Sequence, residues 1–146
     1  MAARHIKWKP PKSPVGMLQE ELWPDRWKIL VACLLHNLTT RKQVDKVYQK
    51  LFQKYPTPEL LKDANEMELQ DIIRPLGMWR RRTKTLKKFS KEYLEKDWTN
   101  AIELYGCGKY ADDCYKIFCL GVWQDVVPTD HALNRYHGWL KEIMNA

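Results

Sequence analysis

With 146 residues, 45% of them hydrophobic, the chain has the length of one domain and enough apolar side chain to build a core without disulfides or a structural metal. No apolar run approaches the roughly 20 residues that cross a bilayer, and the N-terminus lacks the apolar centre of a secretory signal, so a soluble, non-exported protein without a membrane partner is expected. Lys and Arg number 25 against 18 Asp and Glu, a formal charge of +7; this favours a polyanionic partner such as nucleic acid, although charge alone fits a merely basic protein as well.

In chain order, residues 1–12 carry basic residues and prolines, read as an extended tail outside the core, with a single domain over 13–146. From Val15 onward the apolar period is close to 3.6 and nothing alternates strictly enough for a strand, which predicts an all-α fold. Trp27, Leu30, Val31 and Leu34 share one face of a first strong helix ending near Asn37. Thr39 or Thr40 then caps a second helix carrying Val44, Val47, Tyr48, Leu51 and Phe52, expected to pack beside the first.

Thr57-Pro58 opens a short helix through Leu60 and Leu61, with Thr as N-cap and Pro where its missing N–H costs nothing. Asn65 and Glu68 resemble a capping box for a helix that Pro75-Leu76-Gly77 closes. The next helix, from about Met78 to Lys96, sets Arg80, Arg81, Arg82, Lys84, Lys87 and Lys88 around an apolar stripe of Leu86, Phe89, Tyr93 and Leu94. Such a helix could follow a phosphate backbone, or be an ordinary solvated face.

Two glycines one residue apart follow, in Leu104-Tyr105-Gly106-Cys107-Gly108-Lys109-Tyr110, between two helical stretches. A Gly-x-Gly turn opening a helix lets backbone approach a ligand and aims free N–H groups at an anion, although on its own it is more often a plain connection. The last helix opens at Pro128-Thr129-Asp130, with Thr129 as the expected N-cap, Asp130 in the first turn, and Leu133, Tyr136, Leu140 and Ile143 on its buried side. By helix chemistry alone Asp130 is an acidic residue stabilising a helix start. The cysteines Cys33, Cys107, Cys114 and Cys119 form no C-x-x-C pair and read as reduced thiols.

The Tyr105-to-Tyr110 hairpin, followed after a helix by Val127-Pro128-Thr129-Asp130-His131, resembles the helix-hairpin-helix base-excision glycosylases. Within that family the chain is most similar to the thymine and uracil glycosylase domains of methyl-CpG-binding domain 4 proteins. Matching stretches include Lys9-Pro10-Pro11-Lys12-Ser13-Pro14, Leu18-Gln19-Glu20, Arg74-Pro75-Leu76-Gly77, Tyr115-Lys116-Ile117-Phe118-Cys119 and Leu133-Asn134-Arg135-Tyr136-His137, so the likeness runs through nearly the whole chain. It implies a helical bundle with a DNA-binding cleft, and a nuclear, monomeric enzyme acting on double-stranded DNA with a G·T or G·U mismatch.

By the same resemblance, Asp130 is the catalytic carboxylate, Gln19 and Tyr110 read the flipped pyrimidine, and Met78 matches the wedge that enters the base stack. Gly106, Gly108, Lys109, Arg80 and Arg81 are expected against phosphates. Relatives that also nick the backbone carry a nucleophilic Lys where Tyr110 stands, and Tyr cannot form a Schiff base, so an enzyme leaving an abasic site is implied, with Lys109 next door as the one competing amine. No cysteine follows Cys119, so the four-cysteine iron–sulfur loop of some relatives is not expected, and the only cofactor suggested is a monovalent cation on carbonyls of the hairpin 105–109.

The chief departure is Leu38, where the family's Asn-Arg-Thr-Ser-Gly segment inserts an arginine; Arg41 and Cys107 also differ. Three alternatives stay open: a non-catalytic helix-hairpin-helix DNA-binding module, a glycosylase for a different damaged base, and a helical protein-interaction domain.

Overall fold

The computed structural model describes residues 7–146; residues 1–6, half of the segment read as a tail, lie outside the described residues. The described residues form nine α-helices and no strand: α1 (Leu18–Leu22), α2 (Arg26–Leu35), α3 (Arg41–Asp45), α4 (Tyr48–Lys54), α5 (Pro58–Lys62), α6 (Glu66–Ile73), α7 (Trp79–Glu95), α8 (Lys109–Cys114) and α9 (His131–Met144). Single 3-10 turns precede α7 (Arg74–Leu76) and α8 (Ala101–Glu103), and the backbone of α8 continues into a wider π turn, Tyr115–Leu120.

The architecture is organised by α2. Its sequence suggests one apolar face, but eight of its ten residues are buried, including Ile29, Ala32, Cys33 and Leu35 on the remaining faces. A helix apolar all round belongs inside a core, and α2 accordingly touches α1, α7, α8 and the π turn. Its N-terminus is fixed by the Asp25 carboxylate accepting from Lys28 N at 2.9 Å.

The second expected helix is two. Thr40 caps α3 through a reciprocal box with Gln43, but the backbone breaks at Lys46 and Val47, and α4 meets α2 at one end through the Trp27–Phe52 edge contact. A β-branched Val47 with φ −120° starts α4 without a side-chain cap. Thr57 caps α5 as expected, accepting from Leu60 N, and Asn65 caps α6 by accepting from Glu68 N, but without the reciprocal Glu68 bond of the expected box.

α7 packs against α5 and α6. Leu86 and Phe89 are buried as expected, whereas Leu94 is about a third exposed, and Arg82, Thr83 and Ser90 are buried beside the apolar stripe. Ser90 Oγ accepts from the Trp27 indole at 3.1 Å, satisfying both buried polar groups.

The reading of the N-terminal segment as lying outside the core is corrected for residues 7–12. They are extended, but Pro10 is buried, the Trp8 indole donates to the Ile117 carbonyl at 2.8 Å, and the Tyr136 hydroxyl donates to the Pro11 carbonyl at 2.7 Å. Trp8 lies directly over Gly121, whose φ of +71° ends the π turn; a Cβ there would stand 2.7 Å from the indole. This strap joins the π turn to α9. In α9, Leu133, Tyr136 and Leu140 are buried, but Ile143, in the last turn, is exposed.

Candidate active site

Four segments distant in sequence meet in a cleft of about 460 Å³, whose lining includes Gln19, His36, Leu38, Tyr110, Asp130 and Arg135. Gln19 comes from α1, which Glu20 anchors by accepting from Met17 N and Ser13 N at 2.7 and 2.6 Å. The Gln19 side chain is almost fully buried, and its amide nitrogen donates to Tyr110 Oη at 2.9 Å and to Cys33 Sγ at 3.4 Å. Both amide hydrogens are therefore committed within the protein, and the amide oxygen, with no partner among the described residues, remains as an acceptor.

Tyr110, on the first turn of α8, is held strongly toward the neutral phenol. Burial is the main cause, and the neighbouring Cys114, Cys33 and Asp130 add to it. A neutral hydroxyl keeps one proton to donate.

Asp130 is the N-cap of α9, which corrects the assignment of that role to Thr129. Its Oδ2 accepts from Leu133 N at 3.0 Å, and Oδ1 has no hydrogen-bond partner among the described residues. One oxygen thus fixes the carboxylate at the N-terminus of a helix of 14 residues, and the other is free.

His36 and Arg135 also line this cleft, and sequence reasoning missed both. The His36 Nδ1 lies 2.8 Å from the Ala32 carbonyl, and burial pushes the imidazole below its usual pKa, so it is neutral near pH 7. Arg41, the departure from the family glycine, is paired with Asp45 at 2.7 Å and Glu21 at 3.0 Å, clamping the start of α3 to α1.

A second cleft of about 370 Å³ adjoins the first and shares Leu38 with it; Met78, Arg81, Arg82 and Gly106 also line it. Leu38 is 82% exposed and Met78 46%. They are also the two non-glycine residues with positive φ among the described residues, at 59° and 45°. That left-handed conformation costs about 1–2 kcal/mol per residue, and such strain gathers at functional sites.

The hairpin separates its two glycines. Gly106 has φ +82°, and a Cβ on it would lie 2.7 Å from Thr85 Cγ2 and 3.2 Å from Leu34 Cδ2. Gly108 is extended with open space around it, so no steric need in the protein itself calls for glycine there. Lys109 is not a free cation: its ammonium pairs with Asp113 at 2.5 Å and donates to the Val127 carbonyl at 2.7 Å, lining a different cleft from Asp130. Arg80 and Arg81 are exposed.

All four cysteines are buried and free, and burial pushes the thiols of Cys107 and Cys119 up to about 12. No group of metal-ligating side chains occurs among the described residues.

Residues 31–144 match a known family model, the HhH-GPD superfamily base excision DNA repair protein. The chain belongs to this superfamily. Among curated HhH-GPD relatives, it is 42% identical over 134 residues to the methyl-CpG-binding domain protein 4-like protein of Arabidopsis thaliana, covering 92% of this chain and 30% of that protein. It is 44% identical over 72 residues to a thymine/uracil-DNA glycosylase of Pyrobaculum aerophilum, covering 49% and 31% of the two chains. The chain thus spans about a third of the length of these relatives.

Among solved structures the HhH-GPD fold recurs in a thermostable thymine-DNA glycosylase, with TM-score 0.65 and 24% identity, over 71% of this chain and 51% of that one. It recurs also in an endonuclease III trapped on DNA, with TM-score 0.63 and 22% identity, over 86% and 73%. These establish the shared fold.

Proposed function

We propose that the chain is a monofunctional DNA glycosylase that flips thymine or uracil opposite guanine and hydrolyses its N-glycosidic bond, leaving an abasic site. The observation that carries this reading is the single cleft in which Asp130, Gln19 and Tyr110 meet. Cleavage builds positive charge on the deoxyribose, and a fixed carboxylate with one free oxygen is suited to stabilise it and to orient or deprotonate the attacking water. The Gln19 amide oxygen is available to the N3–H of a flipped pyrimidine, and the Tyr110 hydroxyl to a base carbonyl. A mispaired base leaves the stack at lower cost than a paired one, so mispairing itself contributes selectivity.

Lyase chemistry needs an amine in that cleft. Tyr110 occupies the position of the nucleophilic lysine, and Lys109 is committed to Asp113 elsewhere. The experiment is incubation with duplexes holding one G·T, G·U or matched pair, with and without alkali. Product from the mismatched duplexes only after alkali is expected; strand breaks without alkali would overturn monofunctional action, and no product at all would favour the binding-module reading.

In the same reading, Met78 and Leu38 enter the stack, since apolar wedges replace a flipped base without requiring hydrogen bonds. Gly106, Gly108, Arg80 and Arg81 face phosphates; Lys109, expected beside them, is instead held by Asp113 and the Val127 carbonyl. The carbonyls of Tyr105, Gly106 and Cys107 accept no hydrogen bond from the described residues, which leaves them free to hold a monovalent cation bridging to a phosphate. The chemistry calls for no iron–sulfur cluster. The protein acts as a monomer on double-stranded DNA, in the nucleus.

Leu38 fills space but donates nothing to the orphaned guanine. Leu38→Arg is expected to tighten binding to a G·T duplex about tenfold, on the scale of one arginine–guanine contact. Titrations over a salt series check this, and unchanged affinity throughout would count against it.

A further inference from the structure

Arg82 lies in a run of three arginines on α7, but unlike Arg80 and Arg81 it is buried, at 7% exposure. Burial lowers its pKa, and no carboxylate among the described residues offsets it. A buried unpaired guanidinium is costly unless its N–H groups are satisfied. Its Nε donates to the Gly77 carbonyl at 2.9 Å, and an Nη to the Asn37 carbonyl at 2.8 Å.

Those two carbonyls belong to the residues immediately before Met78 and Leu38, the pair held at positive φ. One planar group therefore joins two loops that are distant in sequence, at the bond leading into each strained residue. Arg82 also lines the cleft that Leu38 and Met78 flank. A left-handed leucine or methionine persists only where its surroundings over-determine it, and this guanidinium is a link common to both.

We propose that Arg82 is a positioning residue for strand penetration: it holds Leu38 and Met78 side by side, so that the two enter the base stack as one preformed wedge. The inference rests on the reading of both as wedges. A lysine keeps the charge but radiates its donors from a single point, and cannot reproduce the planar fork that reaches two carbonyls.

The test uses Arg82→Lys, and Arg82→Gln should the lysine variant not fold. In the free protein, amide exchange over residues 36–40 and 76–79 should quicken about tenfold while α9 is unchanged. On a G·U duplex carrying 2-aminopurine beside the uracil, the fluorescence rise on flipping should fall, and single-turnover excision should slow about tenfold. In a Leu38→Ala/Met78→Ala background the same substitution should change the rate less than about twofold, because no wedge remains to be positioned.

An equal loss in both backgrounds, or unchanged exchange in the two loops, would overturn the proposal. A wild-type protein that excises nothing from the G·U duplex would instead defeat the glycosylase reading, and the exchange measurement would still decide whether Arg82 joins the loops.

Discussion

Asp130→Asn is expected to lower single-turnover excision of uracil from a G·U duplex by about 10²- to 10³-fold, the scale of removing one preorganised electrostatic group, while the protein stays folded. The two functions of this side chain can be separated because they use different oxygens. Oδ2 caps α9 by accepting from Leu133 N, and Oδ1 is free toward the cleft. Asparagine ranks with aspartate as an N-cap, so its amide oxygen preserves the cap and only the charge is lost.

Asp130→Ala removes both, and should cost about 1 kcal/mol of stability in addition to the activity. Rates are read by alkaline cleavage of the product, stability by thermal unfolding. Equal rates for wild type and Asp130→Asn would sink the catalytic assignment, whereas a large stability loss in the asparagine variant would show that the charge matters to the fold.

Gly106→Ala is expected to destabilise the protein by about 2–4 kcal/mol, combining a left-handed penalty with overpacking against a filled site. For a domain of this size that is a fall in Tm of roughly 6–12 °C. The clash falls on Thr85 and Leu34, which belong to α7 and α2, so the hairpin must move off both helices to relieve it, and DNA binding should weaken too.

Gly108→Ala is the matched control: its Cβ meets nothing within the protein. The fold should be untouched, and any loss of affinity then reports close approach of DNA to that backbone. An unchanged Tm for Gly106→Ala would refute the steric account.

The elements legible in the sequence were those with local signals. Thr57-Pro58, Asn65 and the long stripe of α7 each carry a cap or a period, and their helices lie where expected. α1 has five residues, too few to display a period, and owes its form to Glu20 and to packing against α2. The division of α3 from α4 turns on the backbone of Lys46 and Val47, which no local sequence signal marks. Cys33 is 74 or more positions from the other cysteines in sequence, yet tertiary folding sets it close enough to Cys114 and Tyr110 to influence both.

Of the candidate site, Gln19, Tyr110, Asp130 and Leu38 share a cleft, but no spacing rule could bring together positions so distant in sequence. Resemblance supplied that grouping. Arg82 did leave a signal: it precedes Leu86 by four residues and Phe89 by seven, which places it on the apolar face of α7. The arginine run around it read as an outward-facing charged surface, against phosphate or solvent, and masked that position. His36 had no comparable mark.

The N-terminal strap has a consequence for the order of assembly. Trp8 reaches Ile117 across 109 positions, and Pro11 reaches Tyr136 across 125. Closing loops of that span confines most of the chain before any contact is gained. The helices, whose contacts are largely local, can form first. The strap, made before the segments it binds, is therefore expected to seat late, and α9, with Asp130 at its head, to gain that bracing only when residues 7–12 return to meet it.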